Sequence, residues 1–127
     1  ADRLHELDSR LSQFFQENHP DVTVVEKIFL GKSADSAFKL GHARGICLMR
    51  ARSYGSEVIE IEARRVKKLV TGSGSASKLQ VKAAVESLLR ITCVEKIDAT
   101  DALSLALCRM QEQVREVKEN KMKDLSL

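Results

Sequence analysis

Leu4, Leu7, Leu11, Phe14 and Phe15 recur at the spacing of one helix face, and Asn18-His19-Pro20-Asp21 then breaks the pattern. Proline cannot continue a helix and pushes the residue before it toward extended backbone, so the chain opens on an amphipathic helix that stops there. Val22 to Leu30 follows, β-branched and nearly continuous, as in a strand covered on both faces. Gly31-Lys32-Ser33 ends it, and a helix is predicted from Ala34 to about Tyr54, with Ser33 placed to cap its free amide groups. A second strand, Glu57 to Ile61, comes after Gly55. Ala63 to Val70 reads as a basic helix, Thr71-Gly72-Ser73-Gly74-Ser75 as a turn-rich connector, and Ala76 to Leu89 as a further helix. The last helix opens near Asp98 and runs through Leu103, Leu105, Ala106, Leu107 and Met110 into Gln111 to Lys123. That tail alternates charge sign and is expected to fray.

Alternating strands and helices predict an α/β fold with parallel pairing. Two strands are too few for a parallel sheet covered by four or five helices, so either the chain is mostly helical or its sheet lacks members at the N-terminus. The length of 127 residues and the 43% hydrophobic content suit one domain with a real core. We assign residues 1–110 to that domain and 111–127 to the charged tail. No run approaches the roughly 20 apolar residues of a membrane helix, and the start lacks a signal-peptide profile, so the expectation is a soluble cytosolic protein. Cys47, Cys93 and Cys108 are odd in number, widely spaced and set in apolar stretches, which reads as buried free thiols.

The net charge of +3 says little until its distribution is considered. Between Glu62 and Lys82 stand Arg64, Arg65, Lys67, Lys68, Lys78 and Lys82 against the single acid Glu62, so this stretch carries +5 and the remainder −2. Such a patch suits either a phosphate-binding surface or a solvated helix face.

Three acids could carry chemistry. Glu26 shares the period-2 face of Val22, Val24, Ile28 and Leu30, so it would either point its charge into apolar surroundings and need a cation, or sit past the sheet's edge in solvent. Asp98 and Asp101, three apart at the mouth of an apolar helix, lie on one face and fit both helix capping and an oxygen-rich metal site. The three histidines, His5, His19 and His42, are scattered, and no cysteine stands near them at zinc spacing. Ala37, Gly41 and Gly45 form a small-residue ridge at steps of four, suited either to a subunit interface or to tight packing on the sheet.

Five segments then combine. Val24-Val25-Glu26-Lys27-Ile28-Phe29, Lys32 to Gly45, Ala63-Arg64-Arg65-Val66-Lys67-Lys68, Gly72 to Lys78 and Asp98-Ala99-Thr100-Asp101-Ala102-Leu103, in this order, resemble the RuvC family of bacterial Holliday junction resolvases. The resemblance covers all but the charged tail. It implies an RNase H-like fold, a homodimer, and symmetric cutting of four-way DNA junctions with magnesium or manganese, two ions per site, in the bacterial cytoplasm beside the branch-migration complex of the Ruv system. By resemblance Glu26 is the central-strand acid and Asp98 and Asp101 the pair opening the last helix. The family's fourth acid stands in a first-strand Asp-Pro-Gly-like motif; this chain begins at the helix that follows the family's first three strands, so an N-terminally truncated RNase H-like domain is expected. With three acids, metal affinity and cleavage are expected to fall while junction binding partly survives. Phe29 matches a residue that inserts against bases, Lys67 and Lys78 match backbone-contacting lysines, and Arg64, Arg65 and Lys68 extend that patch. The Ala37-Gly41-Gly45 ridge lies where the family dimerises. The competing expectations are a catalytically silent junction-binding module and an RNase H-like nuclease of other substrate.

Overall fold

The computed structural model describes residues 1–27, 33–92 and 97–126. It divides into two compact units, Ala1–Glu60 and Ile61–Leu127.

The first unit opens with α1, Asp2–Asn18. Its apolar face packs on α2, Ala34–Ser53, and the seam is marked at one end by Phe15, which is 3% exposed and stacks on Tyr54 with ring centroids 6.0 Å apart. Farther along, the Arg50 guanidinium donates from Nε and Nη2 to the two Asp8 oxygens, a bidentate tie between the helices. That tie holds the Asp8 carboxyl below its ordinary range, chiefly through the Arg50 hydrogen bond. The helix ends as the sequence predicts: His19 takes up left-handed backbone, φ 46°, and its N–H donates to the Phe15 carbonyl just before Pro20.

Strand β1, Val22–Glu26, pairs with β2, Glu57–Ile61. The Glu57 N–H donates to the Asp21 carbonyl, so the two strands start side by side and run parallel, with α2 as the crossover between them. A hydroxyl pair, half-buried Thr23 with buried Ser56 at 2.7 Å, fastens the starting end. Ser56 is reached through Gly55, whose φ of +80° closes the turn after α2. Ser33 caps α2 as expected, accepting from the Ser36 N–H. Of the nine-residue strand anticipated from Val22 to Leu30, the five residues to Glu26 are extended, and Ile28 to Leu30 lie outside the described residues.

The second unit is three helices that all touch one another: α3, Ala63–Thr71, α4, Lys78–Leu89, and α5, Ile97–Leu125. Val66 and Val70 of α3, Ala76, Val81 and Val85 of the α4 region, and Cys108 of α5 are buried, with Thr100 and Ser104 beside them. Helix α3 ends on Gly72 at φ +87°, and α4 starts at Lys78, two residues later than its apolar pattern suggests. The reason is local: Ser77 accepts from the Gln80 N–H while the Gln80 side chain accepts from the Ser77 N–H, a complete capping box that fixes the start. Where fraying was expected, the chain stays helical to Leu125.

Candidate functional site

Glu26 is the last residue of β1 and is exposed. Of the two placements its sequence allows, the structure takes the solvent one, so no buried charge has to be compensated. What remains is position: the carboxyl end of a parallel strand is where α/β folds build ligand sites. This strand end is held from the side. Arg44 of α2 donates from Nη1 to the Glu26 carbonyl at 2.7 Å, and its Nη2 pairs with Glu60 Oε1 of β2 at 2.9 Å.

Asp98 and Asp101 stand in the opening turns of α5, both exposed. Three residues apart on a helix, their Cβ atoms are about 5–6 Å from each other on one face. Because α5 already begins at Ile97, Asp98 lies inside the helix and is not the residue that caps it. No described side chain pairs with either carboxylate, although the Asp101 carbonyl accepts from the Ser104 hydroxyl at 2.7 Å. Thr100, between them, is 2% exposed, so the helix is anchored by the face opposite the two acids.

These are hard oxygen donors at the spacing a divalent cation uses, and their side chains are not spent on internal bonds, so they fit such an ion. Among the described residues no group of three or more His, Cys, Asp or Glu side chains is assembled to hold a metal. The structure thus brings Asp98 and Asp101 together within the second unit, while Glu26 belongs to the first.

The basic residues sort by what they touch. On α3, Val66 and Val70 face the core, which turns Arg64, Arg65 and Lys68 outward and leaves Lys67 half-buried. Lys78 is exposed as the first residue of α4. Arg64 lies along the connector, where a Cβ on Gly74 would come within 3.0 Å of its Cγ, so glycine there makes room for the arginine stem. Arg65 is tied to Glu112 of α5, and Lys82 to Glu86 on its own helix at 3.8 Å. Phe29 lies outside the described residues.

Gly41 and Gly45 are exposed, and a Cβ added at either would meet nothing within 4 Å. Among the described residues, then, no neighbour packs closely on the two glycines. Phe38, 69% exposed, and Met49, 53% exposed, continue the same helical face on either side. Cys108 is a buried free thiol, as the sequence suggested, whereas Cys47 is free but only half-buried; burial pushes both thiols above their ordinary range, and Cys93 lies outside the described residues. No described helix is long and apolar enough to cross a membrane.

Sequence reasoning missed Arg44 and the Arg65–Glu112 tie. The partners of Arg44 are far along the chain, Glu26 by 18 residues, and no local pattern announces such a pairing.

A parallel strand pair ending on an acid, followed by helices that carry paired aspartates and a basic surface, defines an α/β chain of the RNase H-like kind. The family model described as crossover junction endodeoxyribonuclease RuvC matches residues 1–109, and the chain belongs to that family. A relative from Bdellovibrio bacteriovorus with the same description is 49% identical over 104 residues, covering 82% of this chain and 62% of the relative. One from Saccharophagus degradans is 43% identical over 112 residues, covering 88% and 65%. The chain thus spans a little under two thirds of these relatives' length. Among solved structures, Thermus thermophilus RuvC superposes with a TM-score of 0.75 at 27% identity over 84% of this chain and 65% of that one. The same protein in complex with Holliday junction substrate gives 0.78, over 84% and 66%.

Proposed function

We propose that this chain serves a Holliday junction resolvase: a metal-dependent endonuclease that nicks four-way DNA junctions symmetrically in recombination and repair. The observation that carries the reading is the Asp98–Asp101 pair, exposed and unspent inside a segment that matches the family model throughout. Residues 1–110 make up the nuclease part in this reading, and 111–127 the tail.

Glu26, Asp98 and Asp101 supply the carboxylates. Carboxylates of this kind would hold magnesium or manganese, two ions per site, and a divalent ion held by them would supply Lewis acidity toward the scissile phosphate and its attacking water. The chain's own part in this reading would be to supply these carboxylates and to hold the DNA. Lys67, Lys68, Lys78 and Arg64 neutralise backbone phosphates, with Arg65 at the margin because Glu112 already engages it. Phe29 would stack on an unpaired base. The Ala37-Gly41-Gly45 ridge would join two copies, which places two sites on a two-fold junction and accounts for paired cuts. The setting is the bacterial cytoplasm, in company with the branch-migration complex.

The test is cleavage and binding of a synthetic four-way junction by the chain, with duplex and RNA–DNA hybrid as competitors. Magnesium-dependent paired nicks, lost in Asp98→Asn, support the reading. Tight junction binding without cleavage at any magnesium or manganese concentration would instead make it a silent junction-binding module.

A further inference from the structure

Resting on the carboxylate reading of Glu26, we propose that Arg44 is the positioning residue of that acid, fixing the end of β1 so that the Glu26 carboxylate is presented in one place. Two contacts made by one guanidinium carry this. Nη1 donates to the Glu26 carbonyl at 2.7 Å, and Nη2 binds Glu60 Oε1 at 2.9 Å. One side chain from α2 therefore bridges the last residue of β1 to the neighbouring strand. The guanidinium is suited to this because its donors form a rigid planar fork that can serve two acceptors at once, which a lysine ammonium on a flexible stem cannot do with the same geometry.

The Arg44 side chain is only 17% exposed, so its charge is largely withdrawn from water and depends on those two acceptors. Glu60 is 45% exposed, so it ties the guanidinium to β2 without being buried itself. The clamp acts where it matters. Glu26 is the last residue of β1, so the Arg44 donor reaches the strand where its ladder with β2 stops. Outer contacts of this kind orient a ligand's oxygens, and their loss typically costs 10–100-fold in metal affinity.

The experiment is a calorimetric titration of the chain with manganese alone, on Arg44→Lys, Glu60→Gln and Glu26→Gln, together with junction binding in metal-free buffer and a circular-dichroism melt. Expected is a manganese affinity at least tenfold lower in Arg44→Lys, about two- to threefold lower in Glu60→Gln, and metal-free junction binding within twofold of the parent in both. Should Arg44→Lys fail to fold, Glu60→Gln decides alone, since it loosens the anchor without removing a largely buried group. Parental affinity in the folded variants, while Glu26→Gln weakens manganese, overturns the positioning role and leaves the carboxylate site standing. Parental affinity in Glu26→Gln itself overturns both.

Discussion

Helices α2 and α3 solve opposite problems. The short α3 buries Val66 and Val70 against its own unit and leaves Arg64, Arg65 and Lys68 as its exposed residues. The longer α2 has Ala51 alone as a buried residue and leaves Phe38, Leu40 and Met49 exposed around a pair of glycines where an added Cβ would meet no described neighbour within 4 Å. A helix whose apolar side is already satisfied makes a surface for phosphates. One whose apolar side is open, with small residues at its centre, makes a surface for another helix. In the proposed reading, holding DNA would fall to α3 and pairing with a second copy to α2, according to what each has left to bury.

The comparison can be broken at its strongest point by Val66→Asp. An unpaired carboxylate in place of a 5%-exposed valine is expected to cost several kcal/mol and to unfold the second unit, seen as loss of helical circular dichroism. On α2, Gly45→Leu is expected to leave the fold intact, since nothing lies within 4 Å of the new Cβ, while raising the dimer dissociation constant at least tenfold in sedimentation, about 1.4 kcal/mol. A monomeric parent would contradict the interface reading. Lys68→Ala is expected to lower the slope of log affinity against log salt for junction DNA by about 0.9, the release of one phosphate partner. Arg65→Ala should lower it by less, because Glu112 already engages that guanidinium.

The smallest effect concerns the α1–α2 tie. Asp8 is held below its ordinary pKa by Arg50, so its contribution to stability is present above the unfolded carboxylate's pKa and is lost as pH falls through the lower folded value. The thermal midpoint of the parent should therefore drop more than that of Asp8→Asn as the buffer is taken below about pH 4, roughly where an unfolded aspartate titrates. Equal drops would mean the tie contributes nothing.

Much of this was legible in the chain before it was folded. The cap and start of α2 follow from Ser33, β2 was placed after Gly55 with its observed bounds, and Ala63 to Val70 was read as a basic helix. What was not legible has physical causes. The period-2 pattern of Val22 to Leu30 cannot say where pairing stops, and Glu26 proved to be the strand's exposed end. The start of α4 was set by a hydrogen-bonded capping box, not by the first apolar residue. The charge alternation that suggested fraying after Gln111 is equally compatible with a helix, because ion pairs one turn apart support one. Arg44 drew no notice because its acceptors are brought to it only by folding.

The most direct test of the account is whether one cation reports on all three acids. Substoichiometric manganese added to isotope-labelled chain should broaden the amide resonances of Glu26, Asp98 and Asp101 together, at the same added ratio. Broadening confined to Asp98 and Asp101, with Glu26 sharp, would show that the helix pair binds alone and that no three-carboxylate site forms.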